Sequence, residues 1–187
     1  MNQVTEMLRL APGAPVTEAI ARLAWLFEMM SREKGFRNAE LVRNVEDPDL
    51  LLVLHAWDNI EDWQAFRSSD AKIGFAVQRP DSLYTFQPCG MNWRHEAGES
   101  TSRGGAILRR EVVREPAAPR TGPGVVTSAT FSYRDYEPEF AATTMRLTRL
   151  RSAPGLRCVV RDNVVIDDLY EPVMSRMGML DGLEAAD

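Results

Sequence analysis

The chain has little of several residue types that mark common classes of protein. Its two cysteines, Cys89 and Cys158, lie far apart and give neither a disulfide framework nor the paired spacing of a zinc site. The net charge of −5 offers no basic excess for nucleic acid or an anionic membrane surface. No segment is an uninterrupted apolar run of membrane-spanning length, and the N-terminus lacks a signal-peptide pattern. These absences predict a cytoplasmic protein with reduced thiols that binds neither nucleic acid nor membrane.

The composition allows a substantial hydrophobic core. The chain has 187 residues, of which 44% are hydrophobic and 26% charged, as in an ordinary globular protein. This length suits one large domain or two small ones.

The first half alternates strand and helix patterns. A long helix is predicted after Pro15, because apolar residues recur at spacings of three and four, and Gly35 suits a left-handed cap after it. Residues 50–57 are apolar on both faces, which is typical of a strand buried on both sides. Asp58 and Glu61 have capping-box spacing and predict the start of a second helix. Further strands are predicted over residues 4–10, 36–45 and 83–87. The resulting order β-α-β-β-α-β is that of a ferredoxin-like unit.

The pattern restarts in the second half. Residues 125–133 alternate as a strand, and Pro138 precedes a predicted helix with Phe140, Thr144 and Leu147 on one face. Gly155-Leu156-Arg157 then occupies the place that Gly35-Phe36-Arg37 has in the first half. We therefore expect two degenerate βαββαβ-type units in one α+β chain. The predicted divisions are a first unit over 1–97, a linker with one strand over 98–124, and a truncated second unit over 125–187.

The first 95 residues resemble the antibiotic biosynthesis monooxygenase family of the dimeric α/β-barrel superfamily. The resemblance is carried by the pair Gly35-Phe36, the strand LLLVLHAW over 50–57, and the pattern D-x-x-E-D-W-x-A-F over 58–66. It implies a ferredoxin-like dimeric α/β barrel in which two four-stranded sheets pack face to face. One chain with two units could build such a barrel internally, and a homodimer of such chains is left open.

The haem-degrading members of this superfamily provide a test of the chemistry. In them a haem-ligating histidine falls about six residues after an aspartate equivalent to Asp70, where this chain has Ala76. The asparagine that they carry on the first strand is also missing from residues 4–10. The resemblance therefore implies no haem, and neither a metal nor another cofactor is expected.

The family's cofactor-free members oxidise anthrones and related phenols to quinones. The resemblance thus implies a monooxygenase that tailors a polycyclic aromatic polyketide in antibiotic biosynthesis, with dioxygen as the second substrate. Such chemistry needs a dry aromatic pocket, help with deprotonation, and donors for the resulting anion.

Candidate residues follow from their chemical types. His55 could act as general base, Arg37 could hold the anion, and Trp63 could stack on the substrate, so these three are the predicted catalytic residues. The predicted pocket is a cleft between the two sheets. The predicted substrate-binding residues are Trp57, Phe66, Tyr84, Phe86 and Met29.

Two other functions fit the same residues. A polyketide cyclase or isomerase would keep the pocket and the base but would not consume dioxygen. A non-catalytic module for ligand binding or dimerisation would keep its role without His55 and Trp63. The sequence does not separate these alternatives.

Overall fold

The computed structural model describes residues 1–77, 83–86, 91–98, 107–114, 117–133, 143–151 and 164–177. These residues form nine strands and three helices. The strands are β1 (Asn2–Leu10), β2 (Phe36–Asn44), β3 (Leu50–Trp57), β4 (Tyr84–Phe86), β5 (Met91–Gly98), β6 (Ile107–Val113), β7 (Val125–Tyr133), β8 (Thr144–Leu150) and β9 (Val164–Met177). The helices are α1 (Val16–Met30), α2 (Ile60–Arg67) and α3 (Asp70–Val77).

Eight of the strands close into an antiparallel barrel. The order is β3-β2-β9-β6-β8-β7-β5-β1, and β1 pairs with β3 to complete the ring, while β4 adds to β1. Closure removes the open edges that a flat sheet would expose. The prediction of an α+β chain with a barrel is confirmed.

The two halves of the chain have the same strand order. In the first half the order is β5-β1-β3-β2, and in the second half it is β9-β6-β8-β7. The halves meet at two seams, where β2 pairs with β9 and β5 pairs with β7. The strand β6 lies within the segment predicted as a linker with one strand.

The first-half elements follow the sequence pattern except at the fourth strand. The predicted strand over 83–87 gives only the short β4, and the unpredicted β5 takes its place in the barrel. Helix α1 buries Leu23, Phe27 and Met30, and Val16 and Ile20 are partly buried against the same core, so these apolar residues share one face as their spacings of three and four predict. The prediction that β3 is buried on both sides is confirmed, since every residue from 51 to 57 is buried.

Gly35 fixes the approach of α2 to β2. It has the left-handed φ of 74° that favours glycine, and a Cβ there would lie 2.2 Å from Asp62 Oδ2. The cap of α2 differs from the prediction, because Asn59 rather than Asp58 accepts a hydrogen bond from the backbone N–H of Asp62.

One element of the second half was predicted wrongly. The helix proposed after Pro138 with Thr144 and Leu147 is replaced over its described part by strand β8, and residues 134–142 lie outside the described residues. Met145 and Leu147 point to the same side of this strand as Arg149, which is buried. A buried arginine obscures the alternation, because pattern analysis assigns such a residue to the solvent side.

The faces of the sheet carry different cores. The inner face of the barrel packs Val42, Leu52 and Leu54 against Leu108 and Tyr170 of the second half. The outer face of the first half packs Leu51, Val53 and Trp57 against the three helices, in a separate and larger core.

A buried ion pair crosses the barrel interior. Arg149 of β8 donates to both carboxylate oxygens of Glu40 of β2, and the two side chains are 7% and 5% exposed. Burial raises the pKa of the Glu40 carboxyl, and Arg149 opposes that rise. The bidentate contact joins the two halves of the chain. Removing either partner would leave the other charge buried and unpaired.

We expect Arg149→Met to lower the free energy of unfolding by about 3–5 kcal/mol, because it leaves a buried carboxylate uncompensated. The double variant with Glu40→Met should recover most of this loss, since both charges are then removed. Arg37→Met is the matched control, because it breaks the exposed Arg37–Asp58 pair and should cost about 1 kcal/mol or less. Chemical denaturation measures the free energy of unfolding of all three variants. Equal decreases for Arg149→Met and Arg37→Met would contradict a buried, mutually dependent Glu40–Arg149 pair.

Candidate active site

The predicted aromatic residues meet under the helices and not between the sheets. Trp57 is fully buried, stacks on Phe66 at 5.7 Å between ring centroids, and meets Phe36 edge-on at 5.4 Å. Trp63, on α2, and Phe75, on α3, belong to the same core. We call these five residues the aromatic layer. The expectation that Trp57 and Trp63 line a cleft inside the barrel is wrong, because both face the helix side of the sheet.

His55 lies beside this layer and is fixed by it. The residue is 2% exposed, and its Nδ1 accepts a hydrogen bond of 2.7 Å from the indole Nε1 of Trp57. Both side chains leave the same face of β3, because they are two residues apart. An indole N–H can only donate, so Nδ1 is unprotonated and the neutral ring carries its proton on Nε2.

Burial lowers the pKa of the His55 imidazole to about 4, with Glu6 opposing the shift and Lys72 adding to it. The ring is therefore neutral near pH 7. This changes the role predicted for His55. In this tautomer Nε2 presents an N–H rather than a lone pair, so the side chain is a hydrogen-bond donor and not a direct base.

Two charged groups on neighbouring elements act electrostatically on His55. Glu6 of β1 places Oε1 4.0 Å from His55 Nε2. Lys72 of α3 lies over two rings of the layer, with Nζ 6.0 Å from the Phe66 centroid and 5.5 Å from the Phe75 centroid. The site thus combines a neutral donor, a carboxylate and a cation at the edge of an aromatic layer.

The other predicted substrate-binding residues are distributed around this site. Tyr84 of β4 is buried in the helix-side core. Met29 of α1 is partly buried and packs against the same core. Phe86 lies on β4, and its side chain is outside the described residues.

Arg37 is not brought to the site. Its guanidinium is about half exposed and pairs with Asp58, with Nε to Oδ1 at 2.5 Å and Nη2 to Oδ2 at 2.9 Å. The cation that acts electrostatically on His55 is Lys72 instead.

Sequence reasoning missed Glu6, Lys72 and Phe75. Glu6 is a diagonal neighbour of His55, because Val4 pairs with His55 and Glu6 pairs with Val53 in the β1–β3 ladder. This register is a property of the folded sheet, and no local pattern around Glu6 indicates it.

The outer face of the second half has a different chemistry. Glu111 of β6 is buried, and Arg120, Arg146 and Arg109 approach its carboxylate to 2.5, 3.1 and 3.4 Å. Burial raises the pKa of Glu111, but these arginines outweigh it and hold the pKa at about 2. Glu111 is thus a paired structural charge, so we take the helix side of the first half as the candidate site.

The described part of the chain holds no group of three histidine, cysteine, aspartate or glutamate side chains able to bind a metal ion. None of its helices is long and apolar enough to span a membrane.

Fold and site together define a class: an α+β chain with a closed eight-stranded antiparallel barrel and an aromatic layer beside a buried histidine. Residues 4–75 match the model of the family described as antibiotic biosynthesis monooxygenase. The resemblance inferred from the sequence is confirmed. A search of curated proteins gave no significant match.

Several solved structures share the fold. An anthrone oxidase-like protein has 10% sequence identity and a TM-score of 0.62, covering 99% of this chain and 96% of its own. A proposed monooxygenase from Fusobacterium nucleatum has 6% identity and a TM-score of 0.60, covering 94% of each chain. A proposed monooxygenase from Lactobacillus acidophilus has 7% identity and a TM-score of 0.54, covering 95% of this chain and 97% of its own. At these identities the likeness shows the fold alone.

We expect His55 to make the protein less stable in mild acid. Its pKa is 6.5 as a free side chain and about 4 when folded, so between these values the unfolded chain binds more protons. Stability should therefore fall as the pH drops from 6.5 to 4, by about 2–3 kcal/mol from this group.

Denaturation at pH 7 and pH 4.5 checks this expectation. His55→Gln should remove that part of the pH dependence, and His95→Gln, which changes the second histidine of the chain, should retain it. Identical pH profiles for the His55 variant and the unmodified protein would show that the imidazole is not buried as described.

Proposed function

We propose that the protein is a cofactor-independent monooxygenase that oxidises a polycyclic aromatic phenol of the anthrone type to a quinone. The observation that carries this proposal is His55, a buried neutral histidine oriented by Trp57 beside the aromatic layer. These residues lie within the segment that matches the monooxygenase family. The family match supports an enzyme of the monooxygenase type, and the substrate is our inference from the chemistry of the site.

The proposed reaction needs nothing beyond the phenol and dioxygen. Loss of a proton gives an electron-rich anion, which passes one electron to dioxygen, and the two radicals combine at carbon. Collapse of the peroxide gives the quinone and one water, so the two oxygen atoms of dioxygen are accounted for. The protein lowers the barrier by excluding water and by supplying groups that stabilise the anion.

Each residue of the site has a proposed part. The apolar rings of Trp57, Trp63 and Phe66 exclude water from a fused aromatic ring bound beside them. The Nε2–H of His55 donates to the developing phenolate oxygen. Lys72, which already acts electrostatically on His55, stabilises the negative charge.

We also propose that the chain holds two degenerate ferredoxin-like units. The matching strand orders of the two halves support this proposal. With β6 as its first strand, the second unit would begin near Ile107, before the boundary at 125 expected from the sequence. A role in polyketide tailoring, a homodimer of such chains and a cytoplasmic location stay predictions.

Oxygen uptake tests the proposed function. The purified protein, treated with a chelator, should consume one dioxygen per quinone formed from an anthrone-type phenol. A cyclase or isomerase would instead convert its substrate under anaerobic conditions. Absence of dioxygen uptake with a panel of hydroxylated anthrones would overturn the proposal.

Trp57→Phe should lower kcat by about 10- to 100-fold, because it keeps an aromatic ring but removes the N–H that fixes the His55 tautomer. Trp63→Phe is the matched control, since it shortens another indole of the layer and leaves the Trp57–His55 hydrogen bond in place. Steady-state kinetics of both variants measure the difference, and equal rates would remove the tautomer from the mechanism.

A further inference from the structure

We infer that Glu6 is the proton acceptor of this site and that it works with His55 on a single substrate hydroxyl. This inference rests on the proposed function and identifies the reacting group as a phenolic or enolic O–H. It gives a catalytic role to a residue on β1 that no motif in the sequence marks.

The position of Glu6 is unusual for a carboxylate. On the outer face of β1 it lies between Val4 and Leu8, both fully buried. Its side chain is only 17% exposed. Among the described residues, no side chain or backbone group donates a hydrogen bond to it, and its nearest charged or ionisable neighbour is His55 at 4.0 Å. Placing a carboxylate in an apolar row without a close partner costs folding free energy, which is typical of functional groups.

The separation of Glu6 and His55 matches two hydrogen bonds to one shared oxygen atom. A separation of 4.0 Å is too long for a direct hydrogen bond between Oε1 and Nε2. For an oxygen atom placed ~2.8 Å from both Glu6 Oε1 and His55 Nε2, the angle at that oxygen is about 90°. One hydroxyl group can make two hydrogen bonds at such an angle. The solvent exposure falls from Glu6 at 17% to His55 at 2%, so the carboxylate lies at the more open end of this gap.

The two groups have complementary hydrogen-bonding roles. Trp57 occupies His55 Nδ1, so Nε2 donates, whereas a carboxylate accepts. A hydroxyl both donates and accepts, and so it matches the pair, while an ether or a ketone oxygen can only accept. The site therefore selects a hydroxylated aromatic in its phenol or enol form.

The proposed proton transfer is balanced. The O–H bond of the substrate breaks, its proton passes to Glu6 Oε1, and the electron pair remains on the substrate oxygen. His55 stays neutral and donates to the phenolate through Nε2–H. The proton on Glu6 leaves with the oxygen atom that departs as water, which regenerates the carboxylate.

Anaerobic binding spectra test this inference separately from turnover. A phenol bound to the unmodified protein should show phenolate absorbance at a pH below the pKa of the free phenol. Glu6→Gln should bind the same phenol with no phenolate band, because the amide cannot accept the proton. A phenol that binds the unmodified protein and stays protonated would overturn the inference without any variant.

Kinetics provide the second measurement. Glu6→Gln should lower kcat by about 100-fold or more with KM little changed, and the defect should shrink for a phenol acidic enough to be ionised in solution. Glu61→Gln on the exposed side of α2 is the matched control and should keep the full rate. A folded Glu6→Gln protein with the full rate and the phenolate band would refute the role of Glu6.

The outcomes separate this inference from the proposed function. Dioxygen uptake by the unmodified protein together with an unaffected Glu6→Gln variant would remove Glu6 and leave the monooxygenase proposal standing. No uptake by the unmodified protein would remove the monooxygenase proposal itself. If Glu6→Gln does not fold, the same spectra are recorded for Glu6→Asp. This variant keeps a carboxylate, but its shorter side chain places that carboxylate farther from His55.

Discussion

Closure of the barrel is the constraint on which the rest of the structure depends. The two seams, β2 with β9 and β5 with β7, pair strands that are far apart in the sequence. They hold four strands of each half in one ring, and this ring gives β3 apolar neighbours on both faces. The geometry of the site follows, because His55 and Trp57 keep their orientation only while β3 remains a central strand between β1 and β2.

The barrel also determines where the buried carboxylates of the protein lie. The Glu40–Arg149 pair lies inside the barrel and the Glu111 cluster lies on the outer face of the second half. In both places carboxylates are satisfied by arginines at short distances. Glu6 stands apart, since its carboxylate faces a neutral imidazole across a gap. Carboxylates that are paired with arginines have a structural role, whereas a carboxylate without such a partner is available to react with a substrate.

The first half as far as α2 was predictable because its signals are local. The bounds of β3, Leu50–Trp57, agree with the apolar run, and the aromatic residues of β3 and α2 meet because they are close in sequence. The second half was harder, because buried charged residues such as Arg149 break the alternation that identifies a strand. Glu6 could not be found at all, since its relation to His55 depends on the register of β1 against β3. The tautomer of His55 likewise depends on a contact that composition does not reveal.

The origin of all eight barrel strands in one polypeptide has a consequence for how the architecture is maintained. A barrel assembled from two separate molecules dissociates on dilution, because its formation is bimolecular. Here the second sheet is tethered to the first, and the tether replaces the bulk protein concentration with a fixed effective concentration. The fraction of closed barrels is therefore set by intramolecular free energy alone, and a cell containing a few copies of the protein would hold them in the same state as a concentrated sample.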